Sequence, residues 1–407
     1  METSYILNKK LSVQLADNVV QNRKQKVTIP KGMLEIEKFY YSNPTFFARS
    51  IGDDGNIYGA QDGAIARSTD ELETVETGYQ FNIEGYTLVF STKTPKGYVA
   101  ALENRTDGDG TGKVFFSESF TDGFTEVLHM ANGRPADLSR SYYHKFDPYL
   151  VSVSGQDYLP RYNGIVLFGE YTTQTTAKES KVYASFDGGQ NFEAIYTAGV
   201  IDPTLNNHIH ACVYDPYRGR IWVATGDGGN ARIVCSDNLG ETWVDVNLFT
   251  RDDNFPINEI ITQPTFIIPL RDKIILTPDG SQVPAIASIK LDNKYVKTGT
   301  EAYEMSWDFS VRGDIHAGTG YGRPPYVVDG DVVYTTFSYN SKSFVVASGD
   351  GGNSWHYVMT LNHKHVGGAG LAHGLIGLSK EGYMFAYYQR GTRTILAKIK
   401  PIEWEML

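Results

Sequence analysis

Three stretches of this chain repeat one pattern, Ser-x-Asp-x-Gly-x-x-aromatic, and that repeat constrains the fold more than any other feature. The first carries Ser185, Asp187, Gly189 and Phe192, the second Ser236, Asn238, Gly240 and Trp243, and the third Ser348, Asp350, Gly352 and Trp355. The Asp or Asn oxygen accepts hydrogen bonds from the backbone of its own turn, the Gly permits positive φ, and the aromatic buries the hairpin against its neighbours. Each copy therefore marks the turn between two antiparallel strands.

The unit around each turn is clearest from His208 to Val246. A strand at His208 to Tyr214 is followed by a turn at Asp215 to Gly219, strands at Arg220 to Thr225 and Ala231 to Cys235, and the repeated turn into a strand around Trp243. That is a four-stranded antiparallel meander, the blade of a propeller. Ser236 and Ser348 lie about twice as far apart as Ser185 and Ser236, so one blade without the motif is expected between them. Weaker copies precede the first good one, at Ser68-Thr69-Asp70 and at Ser119 to Phe124. The C-terminal stretch supplies three strands, so an N-terminal segment, Lys26 to Ile29 or Leu34 to Phe39, is expected to provide the fourth and close the ring. The expectation is an all-β propeller of four-stranded blades, seven favoured and six the alternative. Residues 26–407 form that single domain, and residues 1–25 are an N-terminal arm for assembly.

The repeated string resembles the Asp-box, or bacterial neuraminidase repeat, of sialidase-like propellers. The resemblance implies a turn between the third and fourth strands of a blade. It also raises glycosidase activity as an expectation, but the sialidase set is not matched: no Arg-Ile-Pro or Arg-Leu-Pro occurs, and the nearest strings are Arg134-Pro135 and Arg323-Pro324. Asp-box propellers resembling this chain also serve as phage tail or baseplate parts that attach to cell-wall glycans.

Strand order decides where a ligand would sit. The start of the first strand and the loop between the second and third strands share one face, and the Asp-box turns lie on the other. The first face collects Tyr143 and His144, Asn207, His208 and His210, Asp227, Arg312, His316, Tyr321, Arg323 and His365, with Glu103 and Glu170 from neighbouring loops. Aromatic faces stack on a pyranose and planar polar groups read its hydroxyls, so these residues are the candidate carbohydrate-binding set. His208, His210, Asp227, His316, Tyr321 and Arg323 are the candidates for catalysis, should the protein cleave its ligand by hydrolysis or by lyase chemistry. His208 and His210, two apart on a strand, with Asp227 as a third donor, are also the candidate ligands of a divalent metal; no cofactor is otherwise required. Replacing both histidines with alanine is expected to weaken ligand binding with little change in stability.

A formal charge of −10 without basic clusters argues against nucleic acid as a partner. No signal peptide and no apolar run of membrane-spanning length is seen, so the expectation is cytosolic synthesis followed by incorporation into a virion tail, with a cytoplasmic protein as the alternative. The expected partners are a cell-surface polysaccharide and other tail proteins, in a homo-oligomer. Cys212 and Cys235 fall on the first and third strands of one blade, too far apart for a disulfide.

Overall fold

A computed structural model of the 407-residue chain describes residues 28–42, 46–104, 110–135, 164–172, 178–215, 217–245, 264–270, 273–278, 286–290, 305–308, 320–339, 342–361, 372–390 and 393–406. Their strands form seven four-stranded antiparallel sheets and one two-stranded ribbon. In six of the sheets the strands are consecutive in the chain, and in the seventh the outermost strand comes from the N-terminal side. The first strand of each sheet packs near the next sheet around a circle, and Ala372–Ile376 against Phe47–Ile51 completes it. The chain is a β-propeller.

The apolar pattern explains why the sheets stack. In the fourth blade the first two strands, Ile209–Asp215 and Arg220–Thr225, are buried along their whole length, because each face meets a neighbouring blade. The outer strand of the third blade, Glu193–Ala198, is instead exposed at Glu193, Ala194 and Thr197 and buried only at Ile195 and Ala198. The core clusters accordingly lie between blades: Ile165, Leu167 and Val182 of the third meet Cys212, Tyr214 and Val223 of the fourth. Tyr58 and Ile65 of the first blade meet Leu102 and Phe115 of the second in the same manner.

Both candidate N-terminal segments are used in closing the ring. Glu35–Ser42 pairs with Arg393–Lys400 as the fourth strand of the last blade. Thr28–Pro30 pairs with Trp404–Met406 in the ribbon. Residues 1–25, the expected arm, lie outside the described residues.

Five third strands end on a serine that organises the following turn: Ser68, Ser117, Ser185, Ser236 and Ser348. Ser185 Oγ donates to Asp187 Oδ1 and accepts from Gly189 N–H, while Asp187 Oδ1 also accepts from the Gln190 and Asn191 amides. Ser236 with Asn238, and Ser348 with Asp350, repeat this pattern. The stretch from Ser68, which in sequence begins like the motif and then decays, is a complete turn of the same kind. Ser68 Oγ donates to Asp70 and accepts from Leu72 N–H, and Asp70 accepts from Thr74 N–H. Here Glu71 and Leu72 adopt the left-handed conformation that Gly188 and Gly189 adopt in the first good copy. Left-handed backbone costs a side-chain-bearing residue roughly 1–2 kcal/mol. Burial of Leu72 in the core offsets it, at about 1.5–3 kcal/mol for a full leucine side chain. The second-blade turn is phased from Ser117 rather than Ser119, with Ser119 in the Asp place and Phe124 in the aromatic place.

Two candidate segments lie in first strands. Arg134–Pro135 pairs with Tyr171 and Glu170 as the first strand of the third blade. Tyr321 and Arg323 belong to the long first strand Gly320–Asp329 of the sixth blade.

Candidate functional site

The two faces are separated in the fourth blade by two sets of contacts. On one end, Arg220 at the start of the second strand forms a two-point ion pair with Asp237 of the Ser-x-Asn turn, through Nε at 2.5 Å and Nη2 at 3.0 Å. On the other end, His208 and His210 at the start of the first strand meet Asp227 from the loop between the second and third. The repeated turn of this blade thus lies at the end opposite the histidine cluster.

The cluster is built by local backbone devices. Ile209 pairs with Thr225 and Ala211 with Ala224, leaving His210 as the extra residue of a β-bulge that re-aims its side chain. Gly226 and Gly228, at φ 57° and 49°, flank Asp227 and turn the loop back toward the strand. A Cβ on Gly226 would come within 2.5 Å of the Asn230 carbonyl oxygen, so glycine is required there. Gly226 N–H donates to the His208 carbonyl at 2.6 Å, which stitches the loop to the strand. Asp227 precedes a single 3-10 turn, Gly228–Asn230, but does not cap it with its carboxylate. That carboxylate faces the histidines instead.

Asn230 holds the approach loop. Its Oδ1 accepts from the Ile201 and Asp202 amides, and its Nδ2 lies within 2.8 to 3.3 Å of the carbonyl oxygens of Asp202, Leu205 and Asn206. Asn207 is likewise buried, its Nδ2 donating to the Lys178 and Ala198 carbonyls, so its amide joins loops.

Within the cluster, His208 Nε2 and His210 Nε2 are 2.6 Å apart, and Asp227 Oδ1 is 3.6 Å from the first and 3.3 Å from the second. His208 Nδ1 lies 2.9 Å from the Thr172 carbonyl oxygen. A carbonyl oxygen only accepts, so Nδ1 carries the hydrogen and His208 Nε2 presents its lone pair to the cluster. In this arrangement His210 Nε2–H donates to it. The rings of Tyr171, His208 and His210 form a continuous stack, with centroids 4.3 and 4.6 Å apart. His208 and His210 are 2% and 0% exposed, whereas the Asp227 side chain keeps 27% exposure. Burial alone would raise the Asp227 pKa. The hydrogen bonds that Asp227 accepts from His210 and Asn206 outweigh it and hold the carboxyl at about 2.

Glu170, which precedes Tyr171 on its strand, is fully buried. It accepts from Lys181 N–H at 2.9 Å and Tyr183 O–H at 3.1 Å, and desolvation pushes its carboxyl above the usual range despite those bonds. Glu103 is also buried, at 6% exposure. Tyr143, His144, Arg312, His316 and His365 lie outside the described residues, as do the side chains of Tyr321 and Arg323. The structure therefore brings together His208, His210 and Asp227 of the expected set and adds Tyr171, Thr172 and Asn206. Thr172 acts through a backbone carbonyl, which no side-chain pattern announces.

No protein-family model matches this sequence, and no curated protein matches it. Solved structures do match in fold. The β-propeller domain of Cps50 (Swd1) from Myceliophteria thermophila is similar with a TM-score of 0.52 at 10% identity, over 89% of this chain and 99% of that one. YCF48 from Cyanidioschyzon merolae gives 0.49 at 12% identity, over 92% and 99%. A PL25 ulvan lyase, a polysaccharide lyase bound to a GlcA-Rha3S segment, gives 0.49 at 9% identity, over 93% and 98%. At these identities the likeness is one of fold. Among the described residues, no helix is long and apolar enough to cross a membrane.

Proposed function

We propose that this propeller recognises a carbohydrate on the face bearing His208, His210 and Asp227. The observation that carries this reading is the Tyr171–His208–His210 ring stack beside the partly exposed, ionised Asp227. A half-buried aromatic offers an apolar face to the C–H side of a pyranose, and a fixed carboxylate accepts from adjacent hydroxyls. The buried histidines and the Thr172 carbonyl hold both groups in register, so little order has to be gained on binding. The resemblance of the repeated turn to phage attachment propellers supports a cell-surface polysaccharide as the ligand, with the protein carried on a virion tail.

The second reading is a carbohydrate-active enzyme on the same face. It is favoured by the Asp227–His210–His208 chain, in which an imidazole next to a carboxylate has the parts of a general base. One experiment separates the two. Purified cell-wall polysaccharides are incubated with the protein, and both retention and new reducing or unsaturated ends are measured. Retention without cleavage, reduced in Tyr171→Ala, is the expected result. Cleavage would move the assignment to the enzyme, and neither retention nor cleavage would sink both readings.

A further inference from the structure

We propose that His208, His210 and Asp227 bind a zinc-class divalent transition-metal ion, through His208 Nε2, His210 Nε2 and Asp227 Oδ1. Two imidazole nitrogens and a carboxylate oxygen are a donor set that zinc takes where a further position is kept for water or substrate. Imidazole donors disfavour the hard ions calcium and magnesium, which take oxygen.

The geometry is close to what such an ion requires. A tetrahedral centre with bonds of about 2.0–2.2 Å holds its donors about 3.3 Å apart. Asp227 Oδ1 lies 3.3 and 3.6 Å from the two nitrogens. The histidine pair, at 2.6 Å, has to open by about 0.7 Å. On binding, the ion takes the place of the hydrogen on His210 Nε2, which moves to Nδ1 of the same ring.

Groups behind the donors are arranged as supporting contacts around metal ligands are. The Thr172 carbonyl fixes the His208 tautomer so that Nε2 is the donor, a function that second partners of metal-bound histidines perform. Asn206 Nδ2 donates to Asp227 Oδ2 at 3.2 Å, leaving Oδ1 turned to the histidines. The Oδ1 of the same Asn206 amide is buried without a hydrogen-bond partner, an acceptor placed for a hydrogen of a metal-bound water. The exposed side of Asp227 gives the ion a route in.

This site does not depend on the glycan reading, and its test distinguishes them. Full-length protein stripped with a chelator is titrated with Co²⁺ and then with Zn²⁺, following visible ligand-field absorption and the melting temperature. The expected result is one Co²⁺ per chain, displaced by Zn²⁺ but not by Ca²⁺, and a higher Tm with Zn²⁺. Asp227→Asn keeps the shape and the Asn206 contact and should weaken Zn²⁺ binding by at least about tenfold with an unchanged circular dichroism spectrum. His210→Gln should do the same, and if it fails to fold, Asp227→Asn and the wild-type melting shift decide. Absence of saturable uptake by the wild type, or uptake by Asp227→Asn equal to wild type, would overturn the site. Metal uptake without polysaccharide retention would leave the site standing and sink the glycan reading alone.

Discussion

His208 Nε2 and His210 Nε2 lie 2.6 Å apart in a place that water barely reaches, so each imidazole is the other's polar partner. From sequence alone the pair reads as ligands whose removal leaves stability intact, and their burial reverses that expectation. His210→Ala leaves the His208 lone pair without its donor and opens a cavity in the bulge, which should cost about 2–4 kcal/mol. Urea unfolding of the variant measures this; a loss under about 0.5 kcal/mol would show the pair to be dispensable.

Glu170 carries a pH signature of the opposite sign from an ordinary paired carboxylate. Its folded pKa is raised by burial, above an unfolded value of about 4.3, so the folded state holds the proton more tightly. The penalty of ionising Glu170 therefore builds as the pH rises from the unfolded value to the folded one, is complete above the folded pKa and is absent below the unfolded value. In Glu170→Gln the amide oxygen keeps Lys181 N–H and the amide nitrogen donates to the Tyr183 hydroxyl. The variant should gain stability relative to wild type at pH 7, with the gain shrinking as the pH falls and lost below about 4. Denaturant midpoints across that range test it, and a gain that is the same at every pH counts against the assignment.

The turn serines should be equivalent whether or not their strings are recognisable. Ser68 and Ser185 each satisfy a backbone amide four residues on, at 2.8 and 2.7 Å. Ser68→Ala and Ser185→Ala should each cost about 1–3 kcal/mol. The Asp place is more selective. Ser354 Oγ donates to Asp350 Oδ2, and a hydroxyl can turn to accept, as Thr242 Oγ1 does from Asn238 Nδ2. At Asp187 the corresponding partner is the Asn191 amide, which donates. Asp350→Asn should therefore be nearly neutral and Asp187→Asn measurably worse; equal melting temperatures would contradict this.

Cys212 and Cys235 are buried and form no disulfide, separated by the strand Arg220–Thr225. Burial pushes the Cys235 thiol up to about 12, which leaves almost no thiolate at neutral pH. A thiol reagent should label neither cysteine in the folded protein and both in denaturant. Rapid labelling of the native protein would mean that the fourth blade opens.

The repeated turn was readable wherever its glycines and aromatic survive, because those residues are what the backbone path demands. It became unreadable at Ser68, where Leu72 tolerates the left-handed conformation by being buried and Val75 stands in the aromatic place. At Ser117 the serine in the Asp place shifted the apparent phase by two residues. The site followed from blade phase: two histidines opening a first strand and an aspartate in the next loop had to share a face. Its supports did not follow. The Thr172 carbonyl has no side-chain signature, and the Asn230 clamp on residues 201–206 depends on a loop path that only the folded chain specifies.

The ribbon that joins the two ends of the described chain has a mechanical polarity. Thr28 lies opposite Met406 and Pro30 opposite Trp404, and beyond them Glu35 lies opposite Lys400. A pull applied through both ends would therefore enter at the open mouth of each antiparallel pair and break its hydrogen bonds one at a time. The ring resists spreading from within, where whole blades must part together, and yields like a zip to tension along the chain.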